Sequence, residues 1–445
     1  MRKQRWVIAG TGHRGIGFYI KALLQDYAES TAVVGFHDAN PRRAAQANAW
    51  LGTQIPVYES FSRMLDEARP DVVLVTTMDS THHEFIIPAL ERDLQVITEK
   101  PLTIDAARCR RILEAERKSK GKLRITFNYR YSPYLARLKE VLAAQPIGRM
   151  HSVDITWLFD QTRGANYFRT WHRQKKNSGG LLVHKSTHHF DLVSWFLGEW
   201  PVEVYAKGRL VCYGPQRQER GVRCRTCAHQ KTCEYYIDLG QKEEFRQLYL
   251  AAEEADGYYR DGCVFAPEID AEDDLAVLVT YSGGTRLYYT LRCYSPFEAI
   301  PYHIDFQGAG GRLEAGMVEG RTKDAQAINI YPRFKPPERI LVPRPPTGEG
   351  AAAAAGGRWG VARGDQELLA ALVDPARPDP LSQRAPTRAG AWALLTGVAA
   401  NESIRTGRPV RIDSLLPPEL LGGSAEPAAP AARARKAVDR PRARR

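Results

Sequence analysis

No apolar run in this chain approaches the roughly 20 residues that a membrane-spanning helix needs, so a spanning helix is not expected. The start leaves no room for the apolar core of a secretory leader, because Met1 to Trp6 runs straight into a strand-like segment. The expected location is therefore cytoplasmic. Cysteine is sparse. Seven in 445 residues, an odd number spread over a large chain, read as thiols or metal ligands in a reducing compartment and exclude a disulfide frame. Internal repeats are missing, which excludes solenoids and propellers. The net charge of +12 is also less than it seems. Gly423 to Arg445 holds seven basic and two acidic residues and carries +5 of it, leaving +7 for the other 422 residues. A basic Ala/Pro/Arg tail stays disordered and solvated more readily than it reads bases, so nucleic acid is not an expected partner.

What is present is ordinary for a globular chain, 43% hydrophobic and 26% charged, and long enough for two domains. Up to about residue 127, short runs rich in Val, Ile and Leu at 5–10, 32–38, 71–77, 94–98 and 122–127 read as buried strands. Helical patterns separate them: Ile16, Ile20, Leu23, Leu24 and Tyr27 share one face, and further patterns cover 41–51, 61–67, 81–92 and 104–119. Alternation of this kind predicts a doubly wound parallel sheet, an α/β fold. After Tyr131 the strands at 151–157, 202–211, 275–281, 285–293 and 302–306 alternate and carry Tyr and Val, as in an antiparallel sheet with one covered face. One helix, 186–197, sits among them, 348–357 reads as a flexible loop, and helices at 365–373 and 387–406 pack back on the body. The expected domains are 1–128, 129–422 with a Cys-rich insertion over about 212–263, and a disordered tail at 423–445.

Gly10-Thr11-Gly12-His13-Arg14-Gly15 matches G-x-G-x-x-G after a predicted strand and before a predicted helix, the context that gives the motif meaning. Its glycines allow a tight turn, close backbone approach to a pyrophosphate, and close helix–strand packing, while amides at the helix start face the phosphates. Asp38, 23 residues after Gly15, is placed to accept from an adenosine ribose, which favours NAD. Arg42 and Arg43 follow and suit a 2′-phosphate, so NADP stays open.

Asp79-Ser80-Thr81-His82, then Glu99-Lys100-Pro101, Phe127-Asn128-Tyr129-Arg130 and a closing Asn401-Glu402-Ser403-Ile404-Arg405-Thr406-Gly407-Arg408-Pro409-Val410 follow the glycine loop. Together these segments resemble the glucose–fructose oxidoreductase/inositol dehydrogenase (Gfo/Idh/MocA) family over most of the chain. The resemblance implies a Rossmann domain followed by an α/β domain with an open, mostly antiparallel sheet, and a substrate between that sheet and the nicotinamide. It implies cofactor contacts from the glycine loop, Asp38, Arg43, Thr77, His82, Glu99, Lys100 and Asn128, and a Lys100 that binds and polarises the reacting oxygen. An ammonium beside an alkoxide lowers the energy of the charged state, which agrees.

Ser178 to Asp191 reads as the second catalytic segment. In the family this stretch ends in an Asp, three residues, then a proton-transferring His. His188 matches that His, whereas His184, followed by Lys185, stands at the aspartate position and departs from the pattern. Imidazole suits proton transfer, since its unperturbed pKa of roughly 6.5 lies near working pH, and nearby Lys100 and Lys185 would lower it. His189 and Asp191 are expected to be structural. A zinc-protease reading of His184-x-x-x-His188 fails because Lys185 stands where Glu is required. Tyr129, Arg130, Tyr167, Arg169, Trp171, His172 and Lys176 offer aromatic faces and charged donors for a polyhydroxylated ligand, or serve domain packing; Lys185 joins the expected ligand-binding set.

Cys224-Arg225-Thr226-Cys227 and Cys233 have spacing that can clasp one tetrahedral metal, with a fourth ligand from Cys263, Cys212 or His229. Similarity to a Cys-rich branch of the family favours Cys263. The readings are a structural zinc clip or free thiols. The expected function is reversible hydride transfer between NAD(P) and a hydroxyl or keto group of a sugar, cyclitol or similar polyol. His188 takes the hydroxyl proton, Lys100 stabilises the oxyanion, and His184 orients His188 or binds substrate. The alternatives are glycoside cleavage or elimination by transient oxidation, and a non-catalytic NAD-binding sensor. A homo-oligomer is expected.

Overall fold

The computed structural model describes residues 2–296, 302–316, 325–343 and 361–421. Its first sheet is parallel, with strands β1 (Gln4–Ala9), β2 (Thr31–His37), β3 (Val72–Val75), β4 (Gln95–Thr98) and β5 (Leu123–Ile125) in the order β2-β1-β3-β4-β5. All four residues of β3 are buried, as a central strand covered by helices on both faces requires. Helices lie between successive strands, and their ends are written in the sequence. Pro41–Leu51 begins after Asn40, whose side chain accepts from the Arg43 amide, and stops at Gly52 in the left-handed region. Ala106–Lys118 is capped in the same way by Asp105.

The second sheet has nine strands: β6 (Met150–Asp160), β7 (Pro201–Arg209), β8 (Asp274–Tyr281), β9 (Arg286–Ser295), β10 (Tyr302–Gly308), β11 (Gly311–Gly316), β12 (Ala325–Pro332), β13 (Glu338–Pro343) and β14 (Val410–Arg411). Its order is β13-β12-β11-β10-β6-β9-β8-β7-β14, antiparallel except where β6 pairs with β9. Along β8 buried and open positions alternate, so one face is covered and the other is not. The α/β class and the two kinds of sheet agree with the sequence expectation. Strands β11 to β13 and the helices Pro133–Ala143 and Gln161–Arg169 were not anticipated. The expected loop at 348–357 and the tail at 423–445 lie outside the described residues.

Two packing contacts position the chemistry. Helix Thr387–Thr406 runs between the sheets, and a Cβ on its Gly397 would stand 2.4 Å from the Leu182 carbonyl oxygen, so only glycine admits this closeness. Asn401 on the same helix donates to the Gly179 carbonyl at 2.6 Å. Both fix the short helix Leu181–His184, which lies within the expected second catalytic segment, while His188 sits on the following helix Thr187–Leu197. Among the described residues no helix is long and apolar enough to cross a membrane.

Candidate active site

The glycine loop follows β1. Gly10 has φ +97°, and a Cβ there would meet the Thr76 carbonyl oxygen at 2.6 Å. Gly15 is equally constrained, its Cβ position lying 2.5 Å from Thr76 Oγ1. A turn this tight opens helix Arg14–Ile20 against β1 and β3 and leaves backbone, not side chain, facing outward: a cradle suited to a pyrophosphate. The flanking residues are already paired. Asp38 accepts from the Thr11 amide (2.7 Å), the Thr11 hydroxyl (2.9 Å) and the Asn40 amide (2.8 Å), and it meets Arg43 at 3.2 Å. Arg43 also reaches the Leu248 carbonyl and, at 2.6 Å, Asp256. Arg14 bridges Glu99 (2.7 Å) and Asp365 (2.8 Å), and Asn128 donates to Asp365 at 2.8 Å. His82 lies between the carbonyls of Pro101 and Thr77. Thr77 receives the Thr81 hydroxyl.

At the carboxyl ends of β3 and β4 the two halves of the molecule meet. Asp79, just beyond β3, contacts His184 Nδ1 at 2.5 Å, and His184 Nε2 stands 3.2 Å from the Lys100 ammonium, which also donates to the His184 carbonyl at 3.0 Å. The partners assign the tautomer: Nδ1–H donates to Asp79 and Nε2 accepts from Lys100. Burial lowers the His184 imidazole well below the ordinary histidine value, and Lys100 beside it adds to the effect. Burial raises the Asp79 carboxyl, opposed by Lys100. Burial also brings Lys100 down to about 8, against the pull of Asp79 and Glu99. A neutral imidazole thus links carboxyl and ammonium.

Next to this chain, Lys185 donates to the Tyr129 hydroxyl at 2.6 Å, and burial lowers it to about 7. Tyr129 stacks on His188 with ring centroids 4.4 Å apart. His188 is 6% exposed and its Nδ1 has no partner; burial, then Lys185 and Lys100, lower it well below the ordinary value, so it is a neutral base. Trp171 stacks on His172 at 3.7 Å, His172 meets His184 at 4.2 Å, and Tyr167 meets His184 at 5.8 Å. These rings and Lys185 form one wall around the Lys100–His184 pair.

Two expected ligand contacts fall elsewhere. Arg130 is 4% exposed and forms a bidentate pair with Asp191 at 2.8 and 2.6 Å, so its charge is used internally. His189, expected to be structural, pairs with the Tyr289 hydroxyl at 2.7 Å. Arg169 faces away from the wall, with Nη1 3.2 Å from Cys224 Sγ. Among the described residues, no three of the predicted metal-ligating thiols (Cys224, Cys227, Cys233, Cys263) lie within 4.8 Å of one another. The one group that meets that spacing is His303, Asp305 and Glu314, where the Arg312 guanidinium already pairs with both carboxylates.

A family profile described as an oxidoreductase family with an NAD-binding Rossmann fold matches residues 4–127, and that family's C-terminal alpha/beta domain matches 139–329. The putative oxidoreductase YteT of Bacillus subtilis is 34% identical over 434 residues, 92% of this chain and 98% of that protein. This chain belongs to the Gfo/Idh/MocA oxidoreductase family. A myo-inositol 2-dehydrogenase of Thermotoga maritima is 28% identical over 174 residues, 39% of this chain and 50% of that protein. The fold is shared with an Agrobacterium radiobacter oxidoreductase crystallised with NAD+, L-tartaric acid and magnesium, at a TM-score of 0.66, 15% identity, and coverage of 93% of this chain and 100% of that one.

As a Gfo/Idh/MocA member the chain is an NAD(P)-dependent oxidoreductase acting on CH–OH groups. Its cradle fits the dinucleotide, with one complication from this chain's own insertion between β7 and β8. Residues there pack onto the glycine loop: the Tyr249 hydroxyl accepts from the His13 amide at 2.8 Å, and Glu244 meets His13 Nδ1 at 2.6 Å. Sequence reasoning gave no role to Asp79, Asp365 or Tyr249. Asp79 was legible as a carboxylate directly after a strand's carboxyl end; the other two reach the site from 351 and 236 residues away in sequence and leave no local signal.

Proposed function

We propose that this Gfo/Idh/MocA member oxidises a secondary hydroxyl of a sugar or cyclitol, reversibly and with NAD as the preferred cofactor. The observation that carries the reading is the Asp79–His184–Lys100 chain at the carboxyl ends of β3 and β4, walled by Tyr129, Tyr167, Trp171, His172 and Lys185. Aromatic faces with interleaved donors suit a polyhydroxylated ring, and a matched relative bears the name of an inositol dehydrogenase.

The bound nicotinamide supplies the hydride acceptor or donor. Backbone amides of the glycine loop would hold the pyrophosphate, and Glu99 and Asn128 keep Arg14 and Asp365 in place beside that cradle. Lys100 donates to the substrate oxygen as negative charge builds there. His188, kept neutral by burial, takes the hydroxyl proton. His184 fixes the direction of the Lys100 ammonium through Nε2, and Asp79 fixes His184. In this chain the carboxylate of the usual Asp-x-x-x-His arrangement comes from Asp79, one residue further out through an imidazole. NAD is favoured over NADP because Arg43 stands between Asp38 and Asp256, so a 2′-phosphate meets two carboxylates and a cation that is already paired.

A panel of cyclitols, sugars and sugar acids with NAD+ tests this reading through NADH absorbance. Stoichiometric NADH formation with at least one cyclitol or sugar is expected. Binding of NAD+ with no absorbance change across the panel would remove the dehydrogenase reading.

A further inference from the structure

We propose that Cys224, Cys227, Cys233 and Cys263 bind one thiophilic divalent cation of the zinc class, as a tetrathiolate clip at the base of the insertion. All four line one cavity of about 20 Å³. That is the scale of a single small occupant, since a water needs roughly 10–15 Å³. Neither Cys212 nor His229 lines the cavity, so its walls select Cys263 as the fourth ligand. Backbone pairing sets that meeting. Arg223 and Gly262 form an antiparallel bridge, with Cys224 N donating to the Asp261 carbonyl and Cys263 N to the Val222 carbonyl.

A buried cation stands beside one of the four sulfurs. Arg169 lines the cavity at 3% exposure, its Nη1 is 3.2 Å from Cys224 Sγ, and its Nε has no hydrogen-bond partner. A buried guanidinium with an unpaired donor is costly unless negative charge stands beside it. Four thiolates around a dication carry two net negative charges, which Arg169 offsets in part. The His229 amide donates to Cys227 Sγ at 3.4 Å, a hydrogen bond that orients this sulfur. Sulfur ligands select zinc-class ions over magnesium or calcium. On binding, each thiol gives its proton to solvent and its sulfur to the ion, with no change of oxidation state. Among the described residues no three of these sulfurs lie within 4.8 Å of one another, so binding requires their side chains to turn inward.

The test uses the full chain, demetallated and then titrated with Co2+ and with Zn2+. Saturation near one equivalent, with a thiolate-to-cobalt absorption that Zn2+ bleaches, and protection of four thiols from a thiol reagent by Zn2+, are expected. Cys227→Ser and Cys233→Ser should each weaken binding by tenfold or more, while Cys212→Ser, outside the cavity, leaves it unchanged. Unaltered thiol reactivity in the presence of Zn2+ would overturn the proposal, as would a protein that purifies with iron and sulfide in this site. Because thiol protection is read on the unsubstituted chain, misfolding of a variant does not decide the outcome.

Discussion

Lys100 is held between a demand for charge and a cost of burial. Its ammonium serves the substrate oxygen only while protonated, and burial brings it down to about 8. As pH rises through that value the proton leaves and the oxyanion loses its partner. The kcat/KM for alcohol oxidation is therefore expected to fall above about pH 8, and Lys100→Arg, whose guanidinium does not titrate there, to move that limb upward. A pH–rate profile of both proteins decides it. Lys100→Ala should lower kcat by about 10²–10³, the scale for losing one oxyanion donor, while leaving NAD+ affinity close to wild type. Asp79→Asn replaces the carboxylate with a neutral amide whose NH2 can donate to His184 Nδ1, which lets the ring adopt the other tautomer. A fall in kcat of about a hundredfold is expected, on the scale of acid–base contributions, with KM little changed. Steady-state kinetics that leave kcat intact would make Asp79 a packing residue.

Among the elements, the clearest stability contrast is the pair Arg130–Asp191, which ties the segment after β5 to helix Thr187–Leu197. Asp191→Ala strands a guanidinium at 4% exposure and should cost about 3–5 kcal/mol, read as a drop in the denaturation midpoint. The strands of the first sheet were legible because each is a short block of Val, Ile and Leu between helical patterns, and β3 is buried throughout. Helix Gln161–Arg169 was not, because it carries Gly164, a poor helix former. That glycine is required: a Cβ there would lie 1.7 Å from the Cys293 carbonyl oxygen. Strand β13 was missed because only one of its six residues is buried, which leaves little apolar alternation to read. At the site, the glycine loop, Lys100 and His188 sit in local motifs. The roles of Asp79 and Arg130 come from partners 105 and 61 residues away, and no spacing rule contains them.

For the whole molecule, the uncovered face of the second sheet matters. Leu278 and Tyr288, cross-strand partners on β8 and β9, and Tyr331 and Leu341 on β12 and β13, are all exposed. Apolar side chains gathered on one open sheet face suit burial against a second copy. Light scattering is expected to give a mass that is a multiple of 49.9 kDa, and Tyr288→Lys with Leu278→Lys to reduce it toward one chain.

The hydroxyl of Tyr249 on the His13 amide has a kinetic consequence as well. An incoming pyrophosphate oxygen competes with a tethered internal surrogate that is always at high local concentration, so the loop is never bare when a cofactor leaves. One competing hydrogen bond is worth about 1 kcal/mol, and Tyr249→Phe should therefore tighten NAD+ binding about fivefold, mostly by slowing its departure. If release of the reduced dinucleotide limits turnover, the same change makes the enzyme slower, with stopped-flow traces showing a burst of NADH ahead of a reduced steady rate.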